Sequence, residues 1–275
     1  GIISPRDQSI VADFIYDSVT EYIPDSVYGL QKDSLKYLYA DDKLSVPYEE
    51  VIVGPGKMYY VVVKDGLYGV MSHTSKMLAE CSYSTYLDRG PAALLRADSS
   101  TDWVVVVKDG SEEGASVYTF GEKDPIIVKA DTGYGIVSPR TQSIVADFIY
   151  DSVQEHIAGS VYTLKKDEFK YLYADDRLSE KYDEVIPGPD NAYFVVRTNG
   201  LHGVVSHTGK MLAECSYSTY LDRGPAALLR ADASTDWVVV VKDGSDEGST
   251  VYTFGEKDPI IAKSDKGYGI ISPRN

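Results

Sequence analysis

The hexapeptide Gly1-Ile-Ile-Ser-Pro-Arg6 returns as Gly135-Ile-Val-Ser-Pro-Arg140 and again as Gly269-Ile-Ile-Ser-Pro-Arg274. The residues between follow suit. Block 1–134 aligns with block 135–268 without a gap, and residues 269–275 start a third copy. Such a period constrains a fold more than composition does, because every copy must adopt the same local structure and stack on its neighbours. The sequence therefore reads as one repeat domain over residues 1–275.

Each block subdivides. Tyrosines closing an apolar run stand at Tyr16, Tyr48, Tyr83 and Tyr118, then at Tyr150, Tyr182, Tyr217 and Tyr252, about 32 to 35 residues apart. A second mark, an apolar run ending in a basic residue and then an acid, keeps the same rhythm. It ends at Asp33, Asp65, Asp98 and Asp131, then at Asp167, Asn199, Asp232 and Asp265. Two marks in phase define eight units of about 33 residues, and a six-part division breaks the tyrosine phase.

The third unit shows the pattern within a unit. Tyr59-Tyr-Val-Val-Val63 is rich in β-branched and aromatic residues, and Lys64-Asp-Gly66 suits a hairpin turn. Leu67 to Met71 follows, then the polar turn Ser72-His-Thr-Ser-Lys76, then one long strand from Met77 to Tyr86. Asp-Gly at 65–66, 109–110 and 243–244 fits type I′ turns, where both central residues have positive φ. No stretch carries sustained helical periodicity, so the expectation is an all-β chain with almost no helix.

Val61-Val-Val-Lys-Asp-Gly-Leu-Tyr-Gly-Val70 followed by Lys76-Met-Leu-Ala-Glu80 resembles the WG repeat, as does Thr132-Gly-Tyr-Gly-Ile136 with Tyr150-Asp-Ser-Val153. Leu87-Asp-Arg-Gly-Pro-Ala-Ala-Leu-Leu-Arg96 looks like the family's linking segment. Tyr68, Tyr134, His202 and Tyr268 stand where the family has its signature tryptophan. The resemblance implies architecture more than chemistry: a β-propeller or a β-solenoid. The expected fold is a closed β-propeller of eight small blades, each of three or four strands, with pseudo-two-fold symmetry. Residues 1–27 lack the first strand of their unit and Ile260 to Asp265 supplies one, so residues 260–275 are expected to close the ring against 1–27. An open β-solenoid is the alternative. Residues 269–275 repeat 1–7 and cannot share their slot, which predicts a frayed copy, an added edge strand, or self-association through the chain ends.

Net charge is −15, with acids scattered along the chain. That excludes a nucleic-acid partner and an anionic membrane surface, both of which need a basic face. No run approaches the roughly 18 apolar residues of a membrane span, and no secretory leader is read. Cys81 and Cys215, each in Met-Leu-Ala-Glu-Cys, read as small buried apolar residues, which leaves the compartment open. The motif set of hydrolases, phosphate loops and zinc sites is missing, so the chain reads as a non-enzyme without cofactor or metal. His73 and His207 read as solvated turn residues. Ser111-Glu-Glu-Gly114 and Ser245-Asp-Glu-Gly248 lack the spaced acids of a calcium loop.

One region stands apart. Lys76 to Asp98 is identical to Lys210 to Asp232, whereas Tyr22-Ile-Pro-Asp25 and His156-Ile-Ala-Gly159 differ. A positioned arginine, an acid and aromatic rings on an exposed link suit a polar or sugar-like ligand. The candidate binding residues are Tyr86, Asp88, Arg89 and Trp103, with Tyr220, Asp222, Arg223 and Trp237 as their copies. The function read from this is a binding or scaffold module presenting two equivalent surfaces to a protein or glycan partner. A lectin and a structural spacer cut from a longer array are the alternatives.

Overall fold

A computed structural model describes all residues except 5, 7, 91, 121–124, 139, 225, 255–259, 265–266 and 272–275. Among the described residues the chain is all-β. Two three-residue 3-10 turns, Pro55–Lys57 and Pro189–Asn191, are its helical elements, and no helix is long and apolar enough to cross a membrane. The strands form antiparallel sheets in chain order, six of them four-stranded. The chain divides into two compact units, residues 1–144 and 145–275. The division falls past the boundary between the copies because Ile126–Ala130 pairs with Gly133–Ser138, from Ile126↔Val137 to Ala130↔Gly133, and so spans that boundary.

The sheet of residues 50–83 shows how the repeat is built. Its strands are Glu50–Val53, Tyr59–Lys64, Leu67–Ser72 and Met77–Tyr83, each paired with the next. Tyr59, Tyr60, Val61, Val62 and Val63 are all buried. Successive side chains of a strand point to opposite faces, so a wholly buried run needs cover on both. Val61 packs with Leu95 and Val106 of the sheet of residues 85–120. Val62 packs with Leu38 and Ala40 of the sheet of residues 18–44. The second unit repeats this, with Val195 beside Leu229 and Val240 and Val196 beside Leu172 and Ala174.

Several sequence expectations change in detail. Six sheets have four strands, within the expected three or four, and in the third unit the strand that the sequence reading did not mark is Glu50–Val53, which joins the sheet that follows it. The long strand from Met77 to Tyr86 is two strands. Tyr83 still pairs with Tyr68, but Thr85–Asp88 is the first strand of the next sheet, with Thr85 opposite Arg96. Asp65 and Gly66 have φ of 53° and 72°, as a type I′ turn requires. Asp109 does not. It opens a longer loop between Trp103–Lys108 and Ala115–Phe120, and its carboxylate accepts the backbone N–H of Ser111 at 3.0 Å.

The aromatic-Gly pair has a steric reason. A Cβ on Gly69 would lie 2.7 Å from Cys81 Sγ and 2.8 Å from Cys81 N, where Met77–Tyr83 bulges across it. Gly203 stands in the same relation to Cys215. Burial pushes both cysteine thiols up, in keeping with a packing role. Gly69→Ala should cost about 1–3 kcal/mol of stability through overpacking. Urea unfolding checks this, and an unchanged midpoint would show that the bulge is not closed as described.

Candidate functional site

The residues singled out in the sequence fall into two separate places. Tyr86 and Asp88 lie on Thr85–Asp88, which pairs with Ala92–Arg96, and Arg89 begins the turn between these strands. The turn is fixed by its own residues. Arg89 N–H donates to Ala92 O at 2.9 Å, and Gly90 N–H donates to the Asp88 carboxylate at 2.9 Å. Arg89 Nε donates to Gln142 O at 2.6 Å. Tyr86 lies on Tyr68 with ring centroids 5.4 Å apart, and burial followed by the Asp88 charge pushes its phenol up. The segment is therefore a half-buried outer strand and its turn, not a loose exposed link.

Trp103 is at the other end of the same sheet. Leu95 pairs with Val104 and Ala92 with Val107, so Arg89 and Trp103 are separated by roughly 14 Å along the strand at 3.4 Å per residue. Trp103 is only 2% exposed, and the Arg96 guanidinium covers its ring at 4.4 Å. Trp237 repeats this at 7% exposure under Arg230 at 4.5 Å. A ligand would have to displace an arginine to stack on either indole. In the second unit Tyr220 lies on His202, centroids 5.6 Å apart. Gly224 N–H donates to the Asp222 carboxylate at 2.8 Å, and Arg223 is exposed.

A larger polar cleft lies elsewhere in the first unit, built from turns distant in sequence. It encloses about 730 Å³ and is lined by residues that include Arg6, Asp41, Asp42, His73, Lys76 and Glu113. The hairpin Asp41-Asp42 has both residues at positive φ, 47° and 55°, which holds the two carboxylates side by side. Arg6 Nε lies 3.0 Å from Asp42 Oδ2 and Arg6 Nη1 3.7 Å from Asp41 Oδ1. Tyr39 OH donates to Asp42 Oδ1 at 2.8 Å. Burial and that hydrogen bond push the Tyr39 phenol up to about 12.

The opposite wall is a tied turn. Thr74 Oγ1 donates to Glu113 Oε2, Lys76 Nζ donates to Glu113 Oε1 at 3.3 Å, and His73 Nδ1 meets Glu113 O at 3.1 Å. The Thr74 hydrogen bond, with help from Ser72 and Lys76, holds the Glu113 carboxyl below its usual range. Asp25, Asp41, Asp42, Glu112 and Glu113 give five negative charges against three positive from Arg6, Lys43 and Lys76, a net of −2.

The second unit repeats the wall residue for residue. Thr208 Oγ1 donates to Glu247 Oε2 at 2.5 Å, Lys210 Nζ to Glu247 Oε1 at 3.4 Å, and His207 Nδ1 meets Glu247 O at 3.1 Å. Tyr173 OH donates to Asp176 Oδ1 at 2.7 Å. His73 and His207, read from the sequence as solvated turn residues, are half-buried members of these walls. Sequence reading missed the cleft because no local motif marks it; the adjacent acids Asp41-Asp42 and Glu112-Glu113 were its one visible trace.

No family model matches the chain, so the WG-repeat resemblance remains one of motif, and no curated protein matches the sequence. Solved structures with similar chain paths include Kluyveromyces lactis Hsv2, at 7% identity and a TM-score of 0.24, covering 87% of this chain and 85% of that one. The AfRom2 CNH domain shares 9% identity at a TM-score of 0.21, covering 88% and 95%. Dihydro-heme d1 dehydrogenase NirN shares 9% at 0.23, covering 83% and 64%. At these scores the likenesses carry no inference about this chain. Its description rests on its own residues: an all-β chain of repeated antiparallel sheets with a polar, acid-rich cleft in its first unit.

Proposed function

We propose that this protein is a non-enzymatic binding scaffold that takes up a basic segment of a partner protein on its acid-rich turn surfaces, one in each unit. The observation that carries the reading is the cleft itself: five carboxylates against three cations, with Asp42 and Glu113 fixed in place by Arg6, Tyr39, Thr74 and Lys76. Preorganised carboxylates attract a lysine- or arginine-rich segment and set its orientation without ordering costs at the moment of binding. Charge complementarity of this kind favours fast, salt-sensitive association. Glu113 held in its ionised form is poorly suited to donate a proton, which speaks for binding over acid–base chemistry.

The sheets are proposed as the blades of a β-propeller of eight small blades. Supporting this are the constant period and the inner strands buried on both faces. The eighth blade would be made from segments equivalent in sequence to residues 126–150. A lectin gains less support, because Trp103 and Trp237 lie under arginines.

Calorimetric titration with lysine- and arginine-rich peptides tests the proposal. Affinity should fall steeply with added salt, and Asp41→Asn with Asp42→Asn should weaken it by roughly tenfold, as loss of two favourable charge contacts implies. Binding indifferent to salt and to both substitutions, or binding confined to neutral glycans, would overturn it.

A further inference from the structure

In the second unit a cavity of about 380 Å³ is lined by Glu168, Phe169, Asp183, Arg197 and Gly200. It gathers the turn between Val161–Lys166 and Phe169–Ala174 and the turn between Tyr193–Thr198 and Leu201–Ser206. The two copies share most of their residues, yet all four side chains here differ from their equivalents Ser34, Leu35, Glu49 and Val63. The glycine alone is kept, as Gly66. Drift of solvated positions does not account for the set. Val63 is 8% exposed, and its replacement by Arg197 sets a charge where the first unit buries an apolar side chain, a costly change unless the charge is met.

The charges around this cavity are not met within the chain. Arg197 lies opposite Glu184 in the ladder, and its ion pair is a single 3.4 Å contact from Nη2 to Glu184 Oε2. Its Nε is shielded from solvent and has no hydrogen-bond partner, which is uncommon for a buried polar group. Glu168 and Asp183 make no ion pair or side-chain hydrogen bond among the described residues. In the first unit the equivalent acid has a partner, since Glu49 Oε2 accepts Gly66 N–H at 3.1 Å. Asp183 is one methylene shorter, and its carboxylate is left facing the cavity.

Phe169 supplies the apolar wall. Lys181 Nζ lies over its ring at 4.4 Å and does not line the cavity, so it covers the ring without filling the space. Leu35 and Pro47 stand at these two positions in the first unit.

We propose that the second unit binds a free amino acid with an apolar side chain here, its carboxylate against the Arg197 guanidinium, its ammonium against Glu168 and Asp183, and its side chain against Phe169. Opposite charges that share a cavity without pairing are met together by a zwitterion. A simple anion would face two carboxylates, and a simple cation would face the arginine. The volume falls within the range of about 300–1,000 Å³ usual for small-molecule sites. A small rotation of the Arg197 side chain brings Nε to the carboxylate, which then accepts charge-assisted hydrogen bonds. The site shares no residue with the cleft lined by Arg6 and Asp42 and does not depend on it.

Calorimetric titration of the full chain with L-leucine and with L-phenylalanine tests this. One molecule should bind per chain. L-leucinamide, which lacks the carboxylate, and N-acetyl-L-leucine, which lacks the ammonium, should each bind at least roughly tenfold more weakly, as loss of one charge-assisted contact implies. Arg197→Val and Glu168→Ser restore residues that the same fold carries in the first unit. Both variants should therefore keep the wild-type circular dichroism while losing affinity by a similar factor. Backbone amide resonances that shift on adding leucine should map to the turns at residues 167–169 and 197–200 and to Asp183. No saturable binding of either amino acid would overturn the proposal, as would equal affinity for L-leucinamide or binding unchanged by Arg197→Val. Resonance shifts confined to other residues would place the amino acid elsewhere and overturn it too.

Discussion

Val61→Asp and Val62→Asp are each expected to destabilise the chain by more than about 4 kcal/mol, the size of effect that burial of an unpaired charge produces. The two side chains point in opposite directions and are 1% and 0% exposed. In a sheet with one wet face, one of the two changes would be nearly harmless, since surface substitutions usually fall within about 0.5 kcal/mol. Here Val61 meets Leu95 and Val106, and Val62 meets Leu38 and Ala40. Chemical denaturation of both variants decides the matter. Tolerance of either aspartate would mean that one of the neighbouring sheets does not pack where described.

Trp103→Ala is expected to cost about 3–5 kcal/mol, the range for removing a large buried aromatic side chain. The indole is 2% exposed, beneath Arg96, and truncation leaves a cavity in the sheet of residues 85–120. A residue whose work is to stack on a ligand would behave otherwise, losing affinity while the melting temperature stays unchanged. Thermal unfolding and a binding titration on the same variant separate these roles. Unchanged stability would restore Trp103 as a ligand contact.

The repeat and its strands were legible in the sequence because backbone pattern repeats locally: Tyr59-Tyr-Val-Val-Val63, the Asp65-Gly66 turn and the tyrosine phase all recur within short windows. Which segment supplies the fourth strand was not legible, since Glu50–Val53 is short and gains its place from pairing with Tyr59–Lys64. The break after Tyr83 was hidden for the same reason. Met77 to Asp88 carries one β-pattern but pairs with two different partners. Identity between the copies over Lys76 to Asp98 suggested a ligand, yet Tyr86 on Tyr68 and Arg89 on Gln142 supply packing reasons for several of those residues.

Differences between the copies also had a physical meaning that one-dimensional reading missed. Tyr22 and His156 looked freely variable. A Cβ on Gly29 would lie 2.6 Å from the Tyr22 ring, and that ring packs on Tyr60 at 5.4 Å. In the second copy Thr163 replaces the glycine and shares a 2.8 Å hydrogen bond with His156, whose ring meets Phe194 at 5.2 Å. Three positions changed together to keep one packed site. The cleft stayed hidden on other grounds. Arg6, Asp41, Asp42, His73 and Glu113 come from separate turns, and only the stacking of successive sheets brings them together.

The account stands on strands buried on both faces by successive sheets. Methyl-resolved nuclear Overhauser spectroscopy on the full chain, with labelled valine, leucine and alanine methyls, reads that arrangement directly. Val61 methyls should show contacts to Leu95 and Val106 and none to Leu38, while Val62 methyls should show contacts to Leu38 and Ala40 and none to Val106. Val195 and Val196 should divide in the same way between Leu229 and Leu172. Contacts from both valines of a pair to the same neighbouring sheet, or from one valine to solvent alone, would contradict it.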